Sequence, residues 1–154
     1  MPVEIIQLIA AFFGAAGFAI LFNVRFPLVI YGALGGLLSW GVFLAVENIG
    51  ANPFVACLVS SAFSAFYAEV MARIKKTPAS VFFIPSLIPH VPGASLFYCM
   101  SAALRGEWVL FRTYGTTAMQ YALGIACGIS FTWAIWYMVQ KFISDRVKSK
   151  KTEP

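Results

Sequence analysis

Charge is what this sequence has least of. Only 11% of its 154 residues are Asp, Glu, Lys or Arg, against roughly a quarter in an ordinary soluble domain. A soluble chain of this size needs far more polar side chains to cover its surface. Histidine is nearly absent, with His90 alone, and there are six acids. No nucleophile–base–acid set, Walker loop, metal-ligand spacing or haem motif can be assembled from so few groups, so no enzyme and no cofactor is indicated. The three cysteines, Cys57, Cys99 and Cys127, form no C-x-x-C pair and read as small buried hydrophobes. Aromatics interleaved with base-reading residues are missing too. The net charge of +5 is therefore no sign of nucleic acid.

What is present is hydrophobicity, at 60% of the residues, laid out in uncharged runs. Each run is close to the roughly 20 residues that carry a helix across about 30 Å of hydrocarbon. Backbone groups in lipid must pair within the protein, so such runs read as helices. The fold expected is an all-α integral membrane protein of about five spans, near residues 3–22, 28–46, 54–72, 79–104 and 116–140. Residues 105–115 read as a mixed loop and 141–154 as a basic cytoplasmic tail. The start of the chain has no basic n-region and no small-x-small cleavage site, so it is read as a retained first span.

The basic residues set an expected orientation. With five crossings, Arg25, the Arg73/Lys75/Lys76 loop and the five tail cations share one side, nine in all. Only Arg105 and Arg112 fall on the other. Such a bias places the nine in the cytoplasm, with the N-terminus outside and the C-terminus inside. A re-entrant fourth segment would give six against five, which favours a crossing. Trp133, Trp136 and Tyr137 before Lys141 fit an interfacial aromatic belt.

The fourth run is interrupted. Pro85, Pro89, Pro92 and Gly93 fall within nine residues. Each proline lacks an N–H and deprives the carbonyl four residues earlier of its donor, which points to free carbonyls at Val81, Pro85 and Ile88. Such a break survives in a membrane only inside protein or beside a wet cavity, as in transporters. A helix restarting after Gly93 would aim the N–H groups of Ala94, Ser95 and Leu96 at a small carboxylate-bearing substrate. The plain alternative is a kink in a packing helix.

The pattern Ile84-Pro85-x-x-Ile88-Pro89-x-x-Pro92-Gly93, followed by Tyr98 and preceded by Lys76-x-Pro78, resembles the threonine/serine exporter (ThrE) family. Gly17-Phe18-Ala19-x-x-Phe22-Asn23-Val24 is similar to a second motif of that family. The likeness is closest to the YjjB-type small subunit, which corresponds to the C-terminal membrane half of full-length exporters. It implies export of threonine and serine, or of a dicarboxylate such as succinate, together with a larger YjjP-type subunit. His90 departs from the pattern, where an apolar residue is usual.

The candidate substrate-binding residues are therefore Asn23, Pro85, Pro89, His90, Pro92, Gly93, Ser95 and Tyr98. Glu69 and His90 are candidates for proton or ion coupling. Against these stand structural roles: a hydrogen-bonded histidine, a Glu69–Arg73 pair one turn apart, and a cap by Asn23. Gly32-x-x-x-Gly36 and Gly124-x-x-x-Gly128 read as helix-packing motifs, the latter in a stripe with Thr117 and Gln120. A non-transporting assembly subunit and a small passive channel remain alternative functions.

Overall fold

The computed structural model describes residues 2–151, with side chains described for residues 3–142. Six α-helices follow one another: α1 (Pro2–Leu21), α2 (Phe26–Asn48), α3 (Pro53–Lys75), α4 (Ser80–Leu87), α5 (Gly93–Leu104) and α6 (Trp108–Lys151). A 3-10 turn, Ile88–His90, joins α4 to α5. Four helices are long and apolar enough to cross a membrane, and α4 with α5 makes a fifth candidate bent by 47°. The protein is thus an all-α, multi-pass membrane protein with a broken span.

The core is built from small residues, because lipid cannot drive helices together and close backbone approach must. Ala15, Ala19, Ala33, Ala56 and Ala65 are fully buried, as are Ser39, Ser60, Ser61 and Ser64. The α3 serines turn their hydroxyls onto their own helix; Ser64, for example, donates to the Ser60 carbonyl at 3.1 Å. Buried polar groups are thereby paired largely within α3, Ser61 also reaching the Gly124 carbonyl of α6 at 3.5 Å. Large apolar side chains point outward instead, among them Ile6, Phe13, Leu21 and Phe26.

α2 is the centre of the bundle. Its glycine strip receives two neighbours: a Cβ at Gly36 would stand 2.5 Å from Ala15 Cβ of α1, and one at Gly32 would stand 3.2 Å from Pro85 Cβ of α4. Gly124 and Gly128 press the backbone of α6 onto α3; a Cβ at Gly124 would lie 2.6 Å from the Phe54 carbonyl. Below that contact Arg73 lies over the Trp136 ring at 4.0 Å. The Gln140 amide oxygen, turned to satisfy both neighbours, accepts from Arg73 at 2.6 Å and from Trp136 Nε1 at 2.8 Å.

Several details differ from the sequence reading. α6 begins at Trp108, not Thr116, so the loop after α5 shrinks to Arg105–Glu107, turned by Gly106 at φ +72°. The early start is stabilised by α5, which packs antiparallel on it: Tyr98 and Tyr114 rings stand 5.4 Å apart and Cys99 Sγ lies 3.6 Å from the Phe111 carbonyl. At its other end α6 runs on through Lys151, so the basic tail begins as helix. Of the cysteines only Cys57 is buried; Cys99 is intermediate and Cys127 exposed, since most of the α6 surface is left for lipid. Arg73 engages Trp136 and Gln140, and among the described residues no ion pair joins it to Glu69.

Candidate functional site at the broken helix

The chain leaves α-helical geometry at Ile88 because Pro89 and Pro92 withhold two donors in one turn. Some of the resulting deficit is met at once. The Ile88 carbonyl, expected to be free, accepts from the Val91 N–H at 3.1 Å. In the three-residue spacing of the 3-10 turn the donor opposite the Ser86 carbonyl is Pro89, which has none. Ser39 of α2 supplies it, its Oγ lying 2.8 Å from the Ser86 oxygen and 3.1 Å from that of Gly36.

Above this seat the polar groups are not met. His90 is fully buried, with its ring edge-on to Trp40 at 5.7 Å and to Phe43 at 6.1 Å. The backbone of Leu87 and Ser39 faces the imidazole, yet no well-formed hydrogen bond closes on Nδ1 or Nε2. Trp40 Nε1 and Gln7 Oε1 are likewise buried without a partner. Gln7, Trp40 and Pro89, with Ala10 and Ala11, line a cavity of about 260 Å³ between α1, α2 and the break. Orphaned buried polar atoms are rare and costly. Here a donor and an acceptor share one cavity, and the imidazole, which does not line it, packs edge-on against the Trp40 ring.

A second cavity lies at the opposite end of the same helices. The turn after α1 and the turn after α3 meet there, around about 300 Å³ lined by Asn23, Arg25, Leu28, Lys76, Thr77 and Pro78 among others. A narrower pocket of about 180 Å³, sharing Phe22, Val24 and Val81, continues to Pro85. The order along each element is the same. On α1 it runs from Gln7 through Ala15 to Phe22, on α2 from Trp40 through Gly36 to Leu28, and on the broken helix from Pro89 through Pro85 to Val81. Contact of Pro85 with Gly32 and of Ala15 with Gly36 closes the line between the two ends.

The candidate residues named from the sequence are divided by this arrangement. Pro85, Pro89 and His90 stand at the break inside the bundle, the first and last fully buried. Pro92 precedes α5, whose first turn faces outward: Gly93 is exposed with open space where a Cβ would be, and Ser95 is half-buried. The Leu96 N–H, expected to face the cavity, donates to the Pro92 carbonyl at 3.0 Å. Tyr98 belongs to the α5–α6 contact. Asn23 lines the far cavity, at φ +57°, and its N–H donates to the Ile20 carbonyl at 2.9 Å, closing α1.

Glu69 is half-buried on α3. It lies about 18 Å along that helix from Cys57, at 1.5 Å per residue, and Cys57 clusters with Phe43, which abuts His90. The two titratable candidates are therefore at different levels of the bundle. Gln7 and Trp40 were not singled out from the sequence. The available signals were a lone amide in the first run and a tryptophan well inside a span rather than at its interface.

Apolar spans, one of them broken beside a cavity that holds two unpartnered polar atoms, fit the architecture of a membrane transporter. The sequence matches the profile of the family described as Threonine/Serine exporter, ThrE, over residues 7–135, and the chain belongs to that family. It is accordingly a membrane component of a family of transporters rather than of enzymes. Neither a curated protein nor a solved structure matches it.

Proposed function

We propose that the chain carries the translocation route of a two-component exporter of small carboxylate-bearing metabolites. The observation that carries this reading is the convergence of two buried, unpartnered atoms, Gln7 Oε1 and Trp40 Nε1, on the cavity at Pro89, with the His90 ring packed edge-on against Trp40. An amino acid or dicarboxylate brings the donors and acceptors that these atoms lack. Threonine and serine are the substrates the family name supports; succinate is the dicarboxylate alternative.

The partner in this reading is a larger YjjP-type membrane subunit. Support comes from the resemblance of the chain to the small membrane subunit of two-subunit exporters within the matched family. The cell (inner or plasma) membrane is the site, with the N-terminus outside and the C-terminus cytoplasmic, because nine of eleven cations then lie inside. The Pro85 seat favours a gated exporter over an open passive channel, since Pro85 and Ala15 pack on Gly32 and Gly36 so closely that not even a methyl group fits without displacement.

Efflux of threonine, serine and succinate from cells with and without the gene pair tests the proposal. Faster efflux of at least one of the three, lost when the pair is deleted, is expected. Equal efflux of all three in both strains would sink it.

A further inference from the structure

We propose that the cavity at the basic end of the bundle is a second substrate site: an anteroom that captures the carboxylate before it reaches the break. The inference rests on the exporter reading for its physiological meaning but is carried by different residues. Two helix ends build the cavity in the same way. At the end of α1, Val24 N–H reaches back to the Ala19 carbonyl at 3.0 Å around Asn23, φ +57°. At the end of α3, Thr77 N–H reaches back to the Ala72 carbonyl at 3.0 Å around Lys76, φ +51°. Left-handed backbone at two non-glycine residues is uncommon, and here both face one space.

That space of about 300 Å³ holds two cations, Arg25 and Lys76, and its lining contains no acid. The neighbouring Lys75 is turned away and engaged, its Nζ donating to Tyr31 Oη at 2.8 Å while lying 4.0 Å from the ring centre. Among the described residues neither Arg25 nor Lys76 has an ion-pair partner. The Asn23 amide adds a donor and an acceptor, so a group carrying both carboxylate and amine can be held. The volume is at the lower end for small-molecule sites. A lipid phosphate shares the anionic chemistry. Continuity with the narrow pocket leading to Pro85 favours a ligand that moves on, and a lipid does not.

The test is binding of labelled succinate and threonine to the full chain in nanodiscs of phosphatidylcholine. The wild type is compared with Arg25→Gln/Lys76→Gln and with the charge-retaining Arg25→Lys/Lys76→Arg. Loss of two charge-assisted contacts predicts binding weaker by about ten-fold or more in the first variant for at least one probe. The second should stay near wild type. Equal affinity in wild type and the charge-neutral variant overturns the assignment, as does absence of binding of both probes to the wild type. Native mass spectrometry in mixed lipid supplies the other arm. Phosphatidylglycerol retained by the wild type and shed by the charge-neutral variant gives the pocket to a lipid and overturns the proposal. Binding that depends on Arg25 and Lys76 in a chain whose cells show no efflux removes the exporter reading alone.

Discussion

Ser39 Oγ donates to the Ser86 carbonyl across 2.8 Å, and both serines are fully buried. The bond ties the centre of the bundle to the one helix that proline has opened. Ser39→Ala removes the only side-chain hydroxyl that reaches the break from α2. A buried carbonyl left short of a donor costs about 1–3 kcal/mol. The variant is expected to melt earlier in detergent, whereas Ser64→Ala, whose hydroxyl serves only its own helix, changes the midpoint little. An unchanged midpoint in Ser39→Ala would show that the break finds another donor.

The glycine seat gives a sharper contrast. Gly36→Ala places a methyl 2.5 Å from Ala15 Cβ, and neither atom can swing aside because both are fixed to backbone. Overpacking of this kind costs about 1–3 kcal/mol. Gly14→Ala, on α1, meets nothing within 4 Å and is expected to be neutral or slightly stabilising by its helix propensity. Thermal midpoints of the two variants check this, with Gly36→Ala falling and Gly14→Ala holding.

Trp40 separates packing from chemistry. Its ring stacks on Phe43 at a centroid distance of 4.7 Å, while its Nε1 has no partner. Trp40→Phe keeps most of the stack and deletes the donor. If Nε1 meets substrate, KM for efflux rises by roughly five-fold, the equivalent of about 1 kcal/mol for one hydrogen bond. Stability should be nearly unchanged. A variant that loses stability and leaves KM alone would assign Trp40 to packing.

Arg73, Trp136 and Gln140 hold the basic end of α6 against α3. Trp136→Ala removes the cation–π contact and one amide partner, worth about 1 kcal/mol at an exposed site. α6 should then separate from α3 more readily at this end. Cross-linking of cysteines placed at Ala62 and Thr132, a neighbouring α3–α6 contact outside the clamp, reports it: the yield falls when Trp136 is replaced, and a constant yield contradicts the clamp.

Much of the architecture was legible in the residues because hydrophobic length and proline chemistry act locally. Four long helices and the break at Pro85–Gly93 follow from runs and breakers alone. The start of α6 did not, because Trp108–Gly115 is helical by virtue of α5 beside it, a tertiary contact. Of the candidate site, the break was legible and the lining drawn from other helices was not. Proline positions marked the break, but Gly93, Ser95 and Tyr98 follow it in sequence while the 47° bend carries them away from the cavity. Gln7 and Trp40 come from other helices, and only the packing of α1 and α2 on the break brings them to it.

The most direct test of the account is protection of the cavity beside Pro89. Ala10 lines it and is exposed, so Ala10→Cys in a background with the native cysteines replaced by alanine gives one labelled position. Maleimide modification of this cysteine is expected to stop efflux, and threonine, serine or succinate to slow the modification. Modification that proceeds at one rate with or without all three metabolites, and leaves efflux intact, would contradict a substrate site between Gln7, Trp40 and Pro89.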